Sequence, residues 1–148
     1  MPILNKDMTL CISLAARPSD IGTRFHNYLY DELGLNFIYK AFTTTDIEGA
    51  IRGVRALGIR GCSVSMPFKE AVIPLVDHME PSAKAIESVN TIVHDDGRLT
   101  ASNTDYEAVA TLITDVDPGL PVVVRGSGGM AKAVVAAFRG AGFDDLIV

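Results

Sequence analysis

The chain has 148 residues, a formal net charge of −5, 48% hydrophobic residues and 21% charged residues. This length and composition are ordinary for a globular protein with one well-formed core. The negative charge and the scattered Lys and Arg residues argue against a nucleic-acid partner. No apolar run reaches the roughly 18 residues that span a bilayer, so no membrane partner is expected.

The amino-terminal segment, MPILNKDMTLCISLAARP, does not resemble an export signal. Its charges, Lys6 and Asp7, fall inside the segment, and only about seven mostly apolar residues follow them. We therefore expect a cytoplasmic protein. Cys11 and Cys62 each lie in an apolar run, which favours buried thiols over the alternative of a disulfide. Two isolated cysteines have no metal-site spacing, and we expect no metal.

Strand and helix patterns alternate along the first part of the chain. Thr9–Ala15 is a short apolar strand. Residues 23–33 have helical spacing with Gly34 as a stop, and residues 36–42 form a second strand. Residues 43–58 predict another helix, with a Thr/Asp start. Its apolar stripe consists of Ile47, Ile51, Val54 and Leu57.

The middle of the chain predicts a third strand and a hairpin. The strand covers residues 61–66 and ends at Pro67. A short helix over 69–76 and a helical turn over 82–89 follow. Residues 90–102 read as two strands joined by an Asp-Gly turn.

The last third predicts helix, strand, helix and strand over residues 105–116, 121–126, 130–142 and 144–148. Strands that alternate with helices imply an α/β fold with a mainly parallel sheet flanked by helices. A boundary is expected near residues 100–105, where the hairpin gives way to a helix that leads into a new strand.

A glycine pattern lies between the predicted strand at 121–126 and the predicted helix at 130–142. Gly126, Gly128 and Ala131 fit G-x-G-x-x-A between a strand and a helix. The first glycine permits a tight turn, the second lets the backbone approach a pyrophosphate, and the small third residue lets helix and strand pack. The helix N-terminus then offers N–H groups to phosphate. The alternative is a tight turn that holds no ligand.

Lys69 follows Met66, Pro67 and Phe68 at the end of a predicted strand. The ligand crevice of an α/β sheet lies at such strand ends. An apolar wall would partly desolvate the amine and make it usable as an acid/base. The alternative is a solvated lysine in the first turn of a helix.

Two Asn-Thr pairs lie at the open ends of the predicted hairpin. Asn90 starts one strand, and Asn103, Thr104 and Asp105 follow the other. Antiparallel pairing brings these ends to the same side of the sheet. Amides, hydroxyls and a carboxylate together suit a polyhydroxylated substrate. The alternative is that Asp105 or Thr104 simply caps the following helix.

Taken together, SMPFK, SVNTIV, SNTDYEAV and GSGGMAKAV, in this order and spacing, resemble the shikimate dehydrogenases, and among them the shikimate dehydrogenase-like branch. The resemblance extends over essentially the whole chain. It implies an amino-terminal substrate-binding domain, residues 1–101. It also implies the first β-α-β portion of a Rossmann-type NAD(P) domain, residues 102–148.

The resemblance implies a role for each matching residue. Lys69 stands at the catalytic lysine and Asp105 at its partner aspartate. The residues implied to bind substrate are Asn90, Asn103 and Thr104. The residues implied to bind NADP or NAD, with NADP favoured, are Gly126, Ser127, Gly128, Gly129, Met130 and Ala131.

The implied reaction interconverts shikimate, or a related cyclic hydroxy acid such as quinate, and its 3-dehydro ketone. The nicotinamide exchanges the hydride, while Lys69 and Asp105 move the hydroxyl proton. Two alternatives remain open. One is an enzyme similar to methylenetetrahydrofolate dehydrogenase, and the other is a non-catalytic module that binds a small acid or polyol.

The chain departs from the family pattern after the first strand. The family has a Ser-x-Ser-Pro segment that grips the substrate carboxylate, and this chain has AARPSDIGTRFHN. Ser19 and Thr23 are the available hydroxyls and are predicted to bind substrate. Arg17 is available to pair with a carboxylate. Loop and helix-cap duty is the alternative for both hydroxyl residues.

The family's proteins are longer than 148 residues. We therefore expect a fragment of a longer enzyme, inactive by itself. The apolar stripe of helix 131–138 and the strand at 121–125 would then have little to cover them. Exposed apolar surface of this kind predicts self-association.

Overall fold

The computed structural model describes residues 3–148. Within this range the chain forms eight strands and five α-helices. The strands are Thr9–Ala15 (β1), Phe37–Thr43 (β2), Gly61–Val64 (β3), His78–Met79 (β4), Thr91–Asp95 (β5), Arg98–Ser102 (β6), Val122–Val123 (β7) and Leu146–Ile147 (β8). The helices are Asp20–Glu32 (α1), Ile47–Ala56 (α2), Pro81–Lys84 (α3), Thr104–Leu112 (α4) and Gly129–Gly140 (α5).

Six strands form one mixed sheet in the order β2-β1-β3-β5-β6-β4. β1 is parallel to β2 and β3, and β4 is parallel to β6, whereas β5 is antiparallel to both of its neighbours. The predicted α/β fold with a mainly parallel sheet flanked by helices is confirmed. The carboxyl ends of β1, β3 and β6 and the amino end of β5 meet at one edge of the sheet.

The main core lies between this sheet and the helices that cover it. α2 begins at the Asp46 cap, whose carboxylate accepts the Gly49 N–H at 2.8 Å. The stripe predicted on this helix is confirmed at Ile51 and Val54, which are buried, but Leu57 is 76% exposed. The buried cluster comprises Ile12, Leu14, Ile51, Val54, Ile59, Cys62, Val64, Phe68, Val72, Ala83, Val89, Ile92, Leu99 and Ala101.

The hairpin and its turn lie where the sequence predicts them. Asp96 and Gly97 connect β5 to β6, and their φ angles are +47° and +78°. Two successive positive φ values are the pattern of the two-residue hairpin turn that Asp-Gly favours. The hairpin fixes how the ends of β5 and β6 face each other, with Thr91 opposite Ser102.

Two elements differ from the sequence prediction. Residues 69–76 do not form an α-helix: they form a series of turns that ends in a 3₁₀ turn at Ile73–Leu75. Pro74 lies inside this segment, and proline lacks the N–H that a continuing α-helix needs. The second difference is β4, whose two residues are too short for a periodic pattern to reveal.

The two cysteines point to opposite faces of the sheet. Ile12, not Cys11, is the register partner of Cys62. Because side chains alternate along a strand, Cys11 therefore lies on the other face. Both thiols are free and buried, as favoured, and the alternative of a disulfide between them is wrong. Burial raises the pKa of the Cys62 thiol to about 12.

β7 and β8 form a separate two-stranded parallel sheet, and α5 connects them. α5 packs against α4, and its Ala133 and Ala137 are buried at 0% and 2% exposure. The expectation that the stripe of this helix lacks cover is wrong at Ala137, which α4 and Phe143 cover, whereas Val135 and Ala136 line a cavity. Val123 is 75% exposed, so self-association through β7 stays a prediction.

Asp77 connects three elements and should make stability depend on pH. Its carboxylate binds both nitrogens of the Arg55 guanidinium at 2.8 and 2.9 Å and accepts the Leu99 N–H at 2.7 Å. The Arg55 hydrogen bonds, then the Leu99 N–H, hold the pKa of Asp77 below its usual range. A lowered folded-state pKa contributes stability above the unfolded value, and the contribution disappears as pH falls through the folded value.

We expect Asp77→Asn to lower the urea midpoint modestly at pH 7. The difference from the wild type should shrink as pH falls below about 4, the unfolded pKa of an aspartate. Asp95→Asn is the matched control, because Asp95 is 72% exposed and its ion pair with Arg60 is 3.5 Å long. A pH-independent difference for Asp77→Asn would contradict this account.

Candidate active site

Four polar side chains meet at the carboxyl ends of β3 and β6 and the amino end of β5. Lys69 lies in the turn after β3, and Asn90 immediately precedes β5. Thr104 and Asp105 are the first two residues of α4, which follows β6. The Val64 N–H donates to the Asn90 carbonyl at 2.8 Å, and the Val89 N–H donates to the Lys69 carbonyl at 2.8 Å. The backbone thus holds the lysine turn beside the hairpin.

Lys69 and Asp105 form an ion pair across this edge. Lys69 Nζ lies 3.0 Å from Asp105 Oδ2. The two side chains are 26% and 28% exposed, so solvent or a ligand reaches both of them. A partly shielded lysine–carboxylate pair with one open side is able to exchange a proton with a bound hydroxyl.

Asn90 and Thr104 form a second pair beside the first. The Thr104 N–H donates to Asn90 Oδ1 at 2.9 Å, and Asn90 Nδ2 donates to Thr104 Oγ1 at 3.0 Å. Thr104 is exposed and Asn90 is half-buried. The predicted meeting of the two Asn-Thr segments is confirmed in geometry.

Asn103 has a different place from the one expected. It is 1% exposed and is itself the cap of α4, because its Oδ1 accepts the Tyr106 N–H at 3.1 Å. Its Nδ2 donates to the Ser88 carbonyl at 2.9 Å. The alternative in which Thr104 or Asp105 supplies the cap is wrong, and Asp105 is therefore free to pair with Lys69. A direct contact between Asn103 and a substrate does not fit its burial.

The apolar wall predicted beside Lys69 is present only in part. Phe68 is buried at 9% exposure, whereas Met66 is 77% exposed. Phe68 belongs to the buried core, and the Lys69 side chain next to it in the sequence remains 26% exposed.

A small cavity of about 220 Å³ lies between β1, β2, α1 and the end of β3. Arg17 and Ser19, both singled out from the sequence, line it. Ser19 precedes α1 but makes no side-chain cap hydrogen bond, so its hydroxyl is available. The remaining lining residues are Ser13, Ala15, Pro18, Gly22, Tyr39 and Ser65.

Sequence reasoning missed Ser13, Ser65 and Tyr39 as members of this cavity. Two of them carried a signal, because Ser13 and Ser65 are hydroxyl residues within the predicted strands 9–15 and 61–66. Tyr39 comes from the next strand, and its place depends on Asn27. The Asn27 side chain binds both backbone groups of Tyr39, at 3.0 and 2.8 Å, and so fixes α1 on β2.

Thr23 lies apart from Ser19. It lines a different cavity, of about 500 Å³, together with Leu4, Met8 and several residues that belong to α1 and β2. The structure therefore does not bring the two predicted substrate hydroxyls into one pocket.

The glycine turn has the open shape that its sequence predicts. Gly126 has a φ of +140°, a backbone angle that residues with a side chain rarely adopt. A Cβ on Gly128 or Gly129 would meet nothing within 4 Å, so the space above the turn is free. α5 starts here without a side-chain cap hydrogen bond. Its first N–H groups therefore face this space without a side-chain partner.

A larger cavity, of about 740 Å³, lies between the glycine turn and residues 84–87. Gly126, Ser127 and Ala131 line it on the turn side, and Val148 follows β8 at its rim. Lys132 Nζ lies 3.0 Å from Glu70 Oε1. This contact links α5 to the residue that follows Lys69.

Among residues 3–148, no group of three or more His, Cys, Asp or Glu side chains is placed to hold a metal ion. Of the helices in that same span, none has both the length and the apolar character needed to cross a membrane.

Fold and site together define an α/β protein that has a lysine–carboxylate pair at its strand ends and a glycine turn before α5. The family model described as shikimate dehydrogenase substrate binding domain matches residues 21–92. A shikimate dehydrogenase-like protein of Haemophilus influenzae is 66% identical over 97% of this chain and 54% of its own length. The chain belongs to the shikimate dehydrogenase family.

Two further relatives carry cofactor names. A shikimate dehydrogenase (NADP(+)) of Streptococcus pyogenes is 39% identical over 90% of this chain and 49% of its own length. The structure of a Listeria monocytogenes shikimate 5-dehydrogenase in complex with shikimate and NAD has a TM-score of 0.89 at 28% identity. It matches 99% of this chain, which in turn covers 53% of that protein. The chain thus spans about half the length of the relatives it matches.

Proposed function

We propose that this chain provides the substrate-binding and proton-transfer part of an NAD(P)-dependent dehydrogenase. The reaction interconverts shikimate, or a related cyclic hydroxy acid such as quinate, and its 3-dehydro ketone. The observation that supports this proposal most strongly is the Lys69–Asp105 pair, 3.0 Å apart and open on one side. As a domain division we propose residues 1–101 for substrate and 102–148 for the start of the nucleotide-binding unit.

This chain provides the groups that transfer the proton in the reaction. During oxidation, the substrate hydroxyl gives its proton to the Lys69–Asp105 pair, and during reduction the pair returns it to the carbonyl oxygen. Asp105 fixes the lysine amine, and Lys69 Nζ contacts the reacting oxygen. Asn90 and Thr104 bind neighbouring hydroxyls, since each offers an amide or hydroxyl group beside the pair.

The glycine turn fits the phosphates of a dinucleotide. Gly126 provides the turn, and the free space over Gly128 and Gly129 lets a pyrophosphate approach the backbone. Ser127, Met130 and Ala131 complete the predicted contact segment. The nicotinamide cofactor, when bound, exchanges the hydride with the ring carbon of the substrate. We propose NADP as the cofactor, as in the name of the Streptococcus pyogenes relative, with NAD as the alternative.

The cavity beside α1 suits the acid group of the substrate. Arg17 supplies a guanidinium, and Ser19, Ser13 and Ser65 supply hydroxyls around it. A guanidinium binds a carboxylate through two parallel hydrogen bonds. We therefore propose that Arg17 replaces the serine pair of the family pattern as the main carboxylate ligand.

Arg17→Ala should weaken shikimate binding to the chain about tenfold, the loss expected for one hydrogen-bonded charge pair. Isothermal titration calorimetry at two salt concentrations measures this loss. Arg24→Ala is the control, because Arg24 lies on α1 beside the other cavity. Equal affinities for the two variants would exclude Arg17 as the carboxylate ligand.

Turnover tests the proposed function directly. The test protein is a chimera of this chain and the remaining half of the Haemophilus influenzae relative, which is 66% identical to it over the shared part. Shikimate and quinate are each supplied with NADP and with NAD. Cofactor reduction by the chimera supports the proposal. Shikimate binding without turnover favours the non-catalytic module. The absence of both shikimate binding and turnover would overturn the proposal.

A further inference from the structure

Ser82 provides a buried hydroxyl beneath the site. It lies in α3 and is 4% exposed. Its Oγ donates to Glu107 Oε1 at 2.8 Å and accepts the Asn103 N–H at 3.0 Å. A single hydroxyl therefore ties α3 to two residues at the start of α4.

These two residues flank Asp105 in the sequence. Asn103 precedes it by two positions, and Glu107 follows it by two positions in the first turn of α4. A shift or rotation of this turn would break one of the two Ser82 hydrogen bonds. The Asp105 carboxylate leaves the same turn to meet Lys69. Its position therefore depends on how firmly the turn is held.

A second element holds the turn as well. Asn90 binds the Thr104 N–H and hydroxyl, so residues 103, 104 and 107 are all fixed from outside the helix. Groups that transfer a proton must stay within a fraction of an ångström of their working geometry. We propose that Ser82, with Glu107 as its acceptor, is a positioning residue for Asp105. This inference rests on the proposed function, which gives Asp105 its role in proton transfer.

The first test compares turnover in the chimera. Ser82→Ala should lower kcat about tenfold, because a small displacement of a catalytic group is costly, and should change KM for shikimate much less. Ile51→Val is the control: Ile51 is buried at 2% exposure in α2, so the variant loses packing without touching α4. A kcat for Ser82→Ala equal to that of the control would overturn the proposal.

The second test does not need turnover. Acetylation of Lys69 by acetic anhydride is followed by mass spectrometry in the 148-residue chain, with the exposed Lys40 as the internal reference. In the wild type, Asp105 engages the Lys69 amine. Ser82→Ala should raise the Lys69/Lys40 ratio severalfold, and an unchanged ratio would overturn the proposal even if kcat falls. If the chimera shows no turnover at all, this ratio still decides the positioning role.

Glu107 provides the same test from an exposed residue, in case Ser82→Ala does not fold. Glu107→Ala removes the acceptor of the Ser82 hydroxyl and should raise the acetylation ratio in the same direction. Glu107→Gln keeps an acceptor oxygen and should raise it less. Equal ratios for the alanine and glutamine variants would mean that the Ser82 contact does not fix Asp105.

Discussion

Lys69→Ala in the chimera should lower kcat about 10²-fold or more, the usual cost of a lost general acid/base. The reason is geometric: Lys69 Nζ is 3.0 Å from Asp105 Oδ2, and both side chains remain about a quarter exposed. Cofactor affinity should change little, because the glycine turn does not depend on this amine. Steady-state kinetics with shikimate and NADP measure the loss.

Lys40→Ala is the matched control for this substitution. Lys40 is an exposed lysine of β2, and its Nζ donates to the Ala41 carbonyl at 2.9 Å, away from the ion pair. Removing it tests the effect of losing one positive charge alone. If the kcat of Lys69→Ala equals that of Lys40→Ala, Lys69 has no part in the mechanism.

Asn103→Ala should have the largest effect on stability. Its amide caps α4 and also binds the Ser88 carbonyl, at 1% exposure. Alanine leaves the part-buried Tyr106 N–H and the buried Ser88 C=O without their partner, so we expect the free energy of unfolding to fall by about 3 kcal/mol. Urea denaturation of the 148-residue chain, followed by circular dichroism, measures the change.

Asp46→Ala provides the comparison, since Asp46 caps α2 through a single exposed hydrogen bond to the Gly49 N–H. Its loss should cost about 1 kcal/mol. A cost for Asn103→Ala no larger than this would show that burial adds nothing to the cap.

Local patterns predicted the parts of the fold that depend on neighbouring residues. Asp96-Gly97 specified the hairpin because its turn requires two positive φ values. The hairpin in turn brought Asn90 next to Thr104, so part of the site was predictable before any tertiary contact was known. Glycines at 126 and 128 likewise marked the turn before α5.

Other features depended on burial and on contacts between distant elements. Asn103, Thr104 and Asp105 are all residue types that cap helices, and their order alone does not say which one does so. Burial of Asn103 under α3 decides it. The cavity around Arg17 draws on β1, β2, β3 and α1, so no single stretch of sequence indicates it. For residues 69–76, one internal proline outweighed an otherwise helical composition.

Shikimate-type acids are proposed to bind where Asn90, Thr104 and the Lys69–Asp105 pair meet. The chain has five asparagines, and only Asn90 is proposed to contact substrate. Selective ¹⁵N-asparagine labelling therefore reports the site in one heteronuclear NMR titration of the 148-residue chain with shikimate. We expect the NMR signal of the Asn90 side-chain amide to shift saturably. The signals of Asn5 and Asn36, whose side chains are hydrogen-bonded to each other at 3.0 Å, should not shift. An Asn90 amide that does not move at saturating shikimate would contradict it.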